Sequence, residues 1–281
     1  MTLDLSLVGK PSDPSRFTYT WKDAVLYALG VGAKKTELPY LYEGFGPKVL
    51  PSFAVVPMFA PMFDLLAKSG GDLAMVVHGG QKFTLHAPFP PAATLLTTAK
   101  IRAIYDLRRF AQVLVDTETR DDKGTLLADT TASIIFRGEG GFGGDPPVRE
   151  EKAITVPKDR PADFRIEEAT TPESALLYRL SGDLNPLHAD PEFAKRVGFE
   201  QGPILHGLCT YGYMVRHVAL GALGGDAGRI TGCDGQFKKP VWPGDTLVTE
   251  GWTVAPGKIA LQLSVKERNE VVLGNAWAVH T

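Results

Sequence analysis

The chain has 281 residues, 44% hydrophobic and 22% charged, a balance that suits packed domains and excludes disordered and collagen-like classes. That length exceeds one common domain of roughly 100–200 residues and accommodates two. With 30 basic against 32 acidic side chains, no global field draws the protein to nucleic acid or to an anionic membrane.

No apolar stretch reaches the roughly 20 residues that span a bilayer, and the first residues lack a basic segment followed by an apolar one. These features predict a cytoplasmic protein with no membrane or nucleic-acid partner. Cys209 and Cys233 are too few for a disulfide framework and have no spacing for zinc or redox chemistry, so both read as buried thiols. The C-terminal Ala-Val-His-Thr is not a Ser-Lys-Leu type peroxisomal address.

In chain order, amphipathic spacing predicts helices over residues 21–29 and about 58–66. Alternating apolar and polar residues then predict strands over 73–77, 95–105, 112–118 and 131–136. From residue 137 to 161, glycine and proline interrupt every hydrophobic period, which divides the chain into a unit at 1–143, a linker at 144–161 and a second unit at 162–281. In the second unit, Thr171 and Pro172 read as N-cap and first residue of a short helix that stops at Gly182. Asp190 and Pro191 open another, ending near Gly198. A third begins at 205–207 and carries an apolar stripe of Leu208, Tyr211, Val215, Val218 and Ala222. Strands are predicted over 230–237, 246–254, 259–266 and 271–279, separated by Pro-Gly and Asn-Glu turn signals.

The two units resemble one another. Pro88, Pro91, Thr94, Leu95 and Thr97 recur 152 residues later as Pro240, Pro243, Thr246, Leu247 and Thr249, and Tyr27 and Leu29 recur 151 residues on as Tyr178 and Leu180. Both shifts indicate an internal duplication. In the second unit, a buried helix followed by an antiparallel sheet suggests a sheet wrapped round that helix.

The chemistry-bearing residues concentrate in 178–212. Asp183, Asn185 and His188 lie within six residues, and Pro186 biases Asn185 away from helix, so the segment bends and lets the acid and the imidazole converge. Two titratable groups around one water suit hydration: one takes a proton from the water while the other supplies one to the neighbouring carbon. Asn185 can orient either. Addition beside a thioester pushes charge onto its carbonyl oxygen, which amides at a helix N-terminus can stabilise, and Gly207 permits close approach of a ligand there. Taken singly, Asp183 reads as a turn former, His188 as a hydrogen-bonded loop residue and Gly207 as a packing glycine; the combination and its spacing point to function.

This stretch, with Gly-Pro-Ile-Leu-His-Gly at 202–207, resembles the signature of the MaoC-type, or hydratase 2, family of (R)-specific enoyl-CoA hydratases. Residues 19–32, 78–81 and 237–247 resemble its two-unit form, so the similarity covers most of the chain outside the linker. The resemblance implies an α+β protein of two hot-dog folds in tandem, with antiparallel sheets joined and wrapped around a central helix. It implies a catalytic set of Asp183, Asn185 and His188, with Gly207 at the oxyanion hole. Substrate contacts are implied along the whole segment, which adds Leu184, Pro186 and Leu187, and at His78, Gly79, Gly207 and Phe237. It further implies reversible hydration of a trans-2-enoyl-CoA to the (3R)-3-hydroxyacyl-CoA, no cofactor beyond the CoA of the substrate, and a homodimer by analogy. One departure stands out: relatives often place a lysine after the aspartate matching Asp106, whereas Leu107, Arg108 and Arg109 follow here.

His206 reads as a residue that shapes its loop. The side chains of His188, Asp190, Asp183 and His206 are metal-ligand types, but no zinc-like spacing is present, so no metal is expected. Shifted by 151, Asp183 falls opposite Gly32 and His188 opposite Glu37, so the first unit lacks the pair. That degenerate unit is expected to bind the acyl chain through Tyr40, Phe53, Met58, Phe59, Met62 and Phe63. Two rival readings are an acyl-CoA thioesterase on the same fold and a non-catalytic acyl-CoA binding module.

Overall fold

Alternation along the strands gives the sheet one buried face. In β4 (Phe110–Asp121), Ala111, Val113, Val115, Thr117 and Thr119 are buried and the residues between them are not. The structure is a computed structural model and describes residues 3–144, 146–147 and 154–281. The predicted linker positions 145 and 148–153 therefore lie outside the described residues.

In the first unit β1 (Ser15–Tyr19), β2 (Val76–Leu85), β3 (Ala93–Asp106), β4 and β5 (Leu126–Arg137) surround the helix α3 (Val55–Lys68), after α1 (Trp21–Gly30) and α2 (Leu38–Leu41). In the second unit, β6 (Phe164–Ala169), β7 (Ile230–Phe237), β8 (Thr246–Ala255), β9 (Lys258–Val265) and β10 (Glu270–His280) accompany α4 (Ser174–Tyr178), α5 (Pro191–Arg196) and α6 (Gly207–Ala222). All strands form one antiparallel 10-stranded sheet in the order β1-β3-β4-β5-β2-β7-β10-β9-β8-β6. Each unit thus has the same internal order, and they join through the corresponding strands β2 and β7.

The join expresses the duplication. In the β2–β7 ladder Lys82 faces Asp234, residues whose numbers differ by the same 152 as the repeated proline-threonine motif. A local two-fold therefore passes through this pair. The central helices obey the same shift, since α3 begins at Val55 and α6 at Gly207.

Several sequence expectations shift. The stretch predicted as a strand at 73–77 is mostly a 3₁₀ turn, Leu73–Met75, with β2 starting at Val76. The two outer strands, β1 and β6, were not anticipated: they are short edges whose exposure leaves little apolar signal. Thr171 does not cap α4, whose N-cap is Glu173; Thr170 is drawn instead to the β8 corner, where its amide bonds the Asp245 carbonyl at 3.0 Å. The α6 stripe is the largest correction. From Leu208 to Ala219 the helix is buried on every side, while Ala222, counted in the stripe, is exposed. Its second face is covered by the other unit, whose Val31 and Tyr27 would meet a Cβ added at Gly212 at 2.4 and 3.1 Å.

The residues expected to line an acyl cavity are largely core. Tyr40, Phe53, Met58 and Met62 are at most 4% exposed. Phe53 packs against Tyr19, Tyr27 and Phe89 with ring centroids 4.9–5.8 Å apart, and Thr130 donates to the Met58 sulfur at 3.1 Å. Phe59 and Phe63 stack on each other at 4.9 Å and are only partly buried. Among the described residues no helix is long and apolar enough to cross a membrane.

Candidate active site

Two segments of the second unit build the site. The first follows α4, which tightens into a 3₁₀ turn, Arg179–Ser181, and breaks at Gly182, where φ is 129°. Asp183 thus stands just past a helix end, as its sequence context predicts. A second 3₁₀ turn, Pro186–His188, then swings His188 back toward it. The other segment is the approach to α6, with Ile204 to His206 leading into Gly207.

The aspartate and histidine converge. His188 Nε2 lies 4.0 Å from Asp183 Oδ2, and the side chains are 9% and 16% exposed. His188 Nδ1 bonds the Ile204 carbonyl at 2.8 Å, and because a carbonyl only accepts, Nδ1 carries the proton and Nε2 presents its lone pair to Asp183. The 4.0 Å gap exceeds a hydrogen bond, so one oxygen could bond both groups. Burial pushes the Asp183 carboxyl above its usual range, and burial likewise pushes the His188 imidazole down. The two shifts approach each other, as suits an acid–base pair.

Asn185 orients Asp183 through its backbone, not its side chain. Its side chain caps the 3₁₀ turn, accepting from the Leu187 amide at 3.0 Å, and its backbone amide holds Asp183 Oδ1 at 3.1 Å. Leu184 and Pro186 point outward and are exposed, and Leu187 is partly buried.

Around the pair the remaining predicted residues form a chain of contacts. A Cβ on Gly207 would lie 3.2 Å from the Phe237 ring, so the helix start and that ring are in close apposition. Phe237 in turn meets His78 edge-on at 5.2 Å. His78 belongs to the bridging strand β2 and sits where Gly79 interrupts the register between His78 and Gly80. Burial lowers its imidazole to about 4, and its Nε2 is buried. The first unit thus contributes to the site across the central join.

Three groups carry more weight than the sequence suggested. Arg179 bonds the Leu184 carbonyl at 3.3 Å and draws the Asp183 pKa down through its charge, against the larger effect of burial. The Ile204 carbonyl sets the His188 tautomer, and a main-chain oxygen leaves no signal in residue type. His206, read as a loop residue, stacks on His188 at 3.7 Å with 26° between the rings.

Three of these residues are metal-ligand types. Asp183, His188 and His206 each bring one ligand atom within 4.8 Å of the others. The stacked imidazoles nevertheless hold their in-plane lone pairs side by side, whereas a shared ion requires them to converge. With its Nε2 bonded to the Asp183 carbonyl at 3.1 Å, His206 has only its buried Nδ1 left, and Asp190 is spent on the N-terminal amides of α5 at 2.9 and 3.2 Å. The residues present do not fit a metal.

Comparison with known proteins agrees with this geometry. Residues 17–138 match the MFE-2 hydratase 2 N-terminal domain and residues 154–275 the MaoC like domain. The chain is 39% identical over 272 residues to 3-hydroxyacyl-thioester dehydratase Y of Mycobacterium tuberculosis, covering 94% of this chain and 92% of that protein. It is 35% identical over 293 residues to a protein of Arabidopsis thaliana named enoyl-CoA hydratase 2, peroxisomal, covering 96% and 93% respectively. The crystal structure of a MaoC-like dehydratase from Phytophthora capsici superposes with a TM-score of 0.88 at 31% identity, covering 99% of this chain and 98% of that one. With a double hot-dog fold, two matched halves and relatives of this identity over nearly their whole length, the chain belongs to the MaoC-like hydratase 2 family.

Proposed function

We propose that the protein is an (R)-specific enoyl-CoA hydratase, interconverting a trans-2-enoyl-CoA and water with the (3R)-3-hydroxyacyl-CoA. The observation that carries the reading is the convergence of Asp183 Oδ2 and His188 Nε2 at 4.0 Å, beside the first turn of α6. A water bonded to both groups loses a proton to the pair as its oxygen adds to the β-carbon. The electron pair of the double bond moves onto the thioester carbonyl as an enolate. Amides at the start of α6, which lack intrahelical acceptors, stabilise that oxygen, and Gly207 keeps the approach open. The pair then returns a proton to the α-carbon, so the elements of water are added and nothing else is consumed.

No cofactor enters this scheme, because the thioester is itself the electron sink. Asn185 positions Asp183, while Leu184, Pro186 and Leu187 present the outer side of the same turn to the substrate. His78, Gly79 and Phe237 complete the substrate wall from the central strands. A cytoplasmic location and a homodimer belong to the same reading.

The test is a spectrophotometric hydration assay with enoyl-CoAs of several lengths, followed by chiral analysis. Loss of the enoyl absorbance with a (3R) product is expected. An S product overturns the stereochemical assignment; free CoA makes the protein a thioesterase, and tight binding without turnover makes it a binding module.

A further inference from the structure

His206 is the N-cap residue of α6 and is 1% exposed. Its Nε2 lies 3.1 Å from the Asp183 carbonyl oxygen. Since that oxygen only accepts, Nε2 carries the ring proton and Nδ1 is a bare lone pair, which is buried and has no hydrogen-bond partner. A polar atom left unsatisfied in the interior costs stability, so its presence calls for an explanation. The ring faces supply one. On one side His206 lies on His188, with centroids 3.7 Å apart and 26° between planes; on another it meets Tyr178 at 5.0 Å.

The two histidines are tied in a reciprocal way. His188, on the 183–188 segment, donates to the Ile204 main chain, and His206, on the 204–206 segment, donates to the Asp183 main chain. Each segment therefore holds the other, and the stacked rings fill the space between. We propose that His206 is a positioning residue for the hydration: one ring that anchors the main chain of Asp183 and lies flat on the imidazole of His188, thereby fixing the separation of the two groups that handle the water. This rests on the hydratase reading above.

Burial lowers the His206 imidazole to about 2, so the ring under His188 stays uncharged across the working range. That matters when His188 takes a proton, because a second cation stacked at 3.7 Å would oppose it, whereas a neutral aromatic face does not. Phenylalanine preserves the face but has no donor. Glutamine can present an amide N–H near the position of Nε2 but has no ring. The two substitutions therefore separate the two contributions.

The experiment measures kcat, KM and melting temperature for wild type, His206→Phe, His206→Gln and His206→Ala, together with long-range nitrogen–proton NMR of the ¹⁵N-histidine-labelled wild type. Each variant is expected to lower kcat, the alanine most, by roughly 10- to 100-fold, because a displacement of about 1 Å in reacting groups has that scale of effect. KM stays within about threefold of wild type, since the ring contacts the catalytic pair and not the substrate. The NMR spectrum, with each histidine assigned, is expected to show His206 in the neutral Nε2–H form, not titrating between about pH 5 and 8, the range in which an unperturbed imidazole would. A kcat within about threefold of wild type in the alanine variant overturns the proposal, as does a loss of activity that only follows the loss of folded protein. Should the variants fail to fold, the wild-type spectrum decides: a His206 that titrates in this range, or carries its proton on Nδ1, overturns it. Absence of hydration by the wild type would instead defeat the functional reading, a result distinct from any of these.

Discussion

The two units place different chemistry at corresponding positions. Where the second has Asp183, His188 and Gly207, the first has Gly32, Glu37 and Val55. Glu37 does not remain free: Arg216, 2% exposed on α6, donates to it at 2.7 and 2.8 Å and to Glu168 at 2.8 Å. Glu168 also bonds His217 at 3.2 Å and pairs with Lys34 at 2.8 Å; burial opposes its charge, but the His217 hydrogen bond and the Arg216 and Lys34 cations hold its carboxyl down at about 2. Beyond Glu37, the Tyr40 hydroxyl donates to the Gly225 carbonyl at 2.9 Å and accepts from the Ala227 amide at 2.7 Å. The loop that carries the pair in the second unit has thus become a clasp on α6 in the first. A duplicated scaffold with one site to maintain can turn the other loop to holding the halves together.

Variants in the two loops should consequently separate rate from stability. The largest effect is expected from Asp183→Asn and His188→Ala, each lowering hydration by about 100- to 10,000-fold with the fold retained, as steady-state kinetics and circular dichroism will show. A mutant keeping more than a tenth of the wild-type rate would remove that residue from the chemistry, since tenfold is only about 1.4 kcal/mol. The opposite signature is expected of Arg216→Leu, which strands Glu37 as a buried carboxylate without its cation and leaves Glu168 only Lys34 and His217: about 3–5 kcal/mol of stability is lost in denaturant titration. Activity per folded molecule should survive, and if it collapses instead, the clasp is part of the catalytic unit.

Gly207→Ala sharpens the comparison at the helix start, where the first unit has a valine. The new methyl would sit 3.2–3.4 Å from the Phe237 ring, so the ring must yield by a few tenths of an ångström. We expect a loss in kcat/KM of the order of tenfold, below the roughly 100-fold that a displacement of about 1 Å brings. The acid limb of the pH–rate profile tests the pair itself. Protonating the base stops the reaction, and burial moves Asp183 up from 3.8 and His188 down from 6.5, so the acid limb should lie above 3.8 if the carboxylate is the base and below 6.5 if the imidazole is. A limb below 3.8 would exclude Asp183 as that base. The smallest effect concerns stability. A carboxyl whose folded pKa is raised penalises the folded state once the pH exceeds the unfolded value, so Asp183→Asn should raise the melting temperature at pH 7, by roughly 2–4 °C per kcal/mol relieved. No rise, or a fall, would show that the ionised carboxylate is stabilised where it stands.

Much of the site was legible in the chain because it is local. Asp183, Asn185, Pro186 and His188 fall in six consecutive residues, and a helix stop followed by a proline-initiated turn is written in residue types. The duplication was legible too, since two similar strands begin with the same Pro, Thr and Leu spacing, and the 152-residue shift reappears in the Lys82–Asp234 register.

Tertiary structure alone decided what depends on groups far apart or on the main chain. The Ile204 carbonyl orders His188 from 16 positions away, and His206 grips the backbone of Asp183 from 23. Arg216 and Glu37, 179 residues apart, show no pairing in sequence, and α6 looked one-sided because its second neighbour comes from the other unit. Local order, turn chemistry and hydrophobic period are properties of adjacent residues and can be read from the sequence. A ring stacked on another ring, a tautomer set by a distant carbonyl and a charge satisfied across two units arise only when the chain closes on itself.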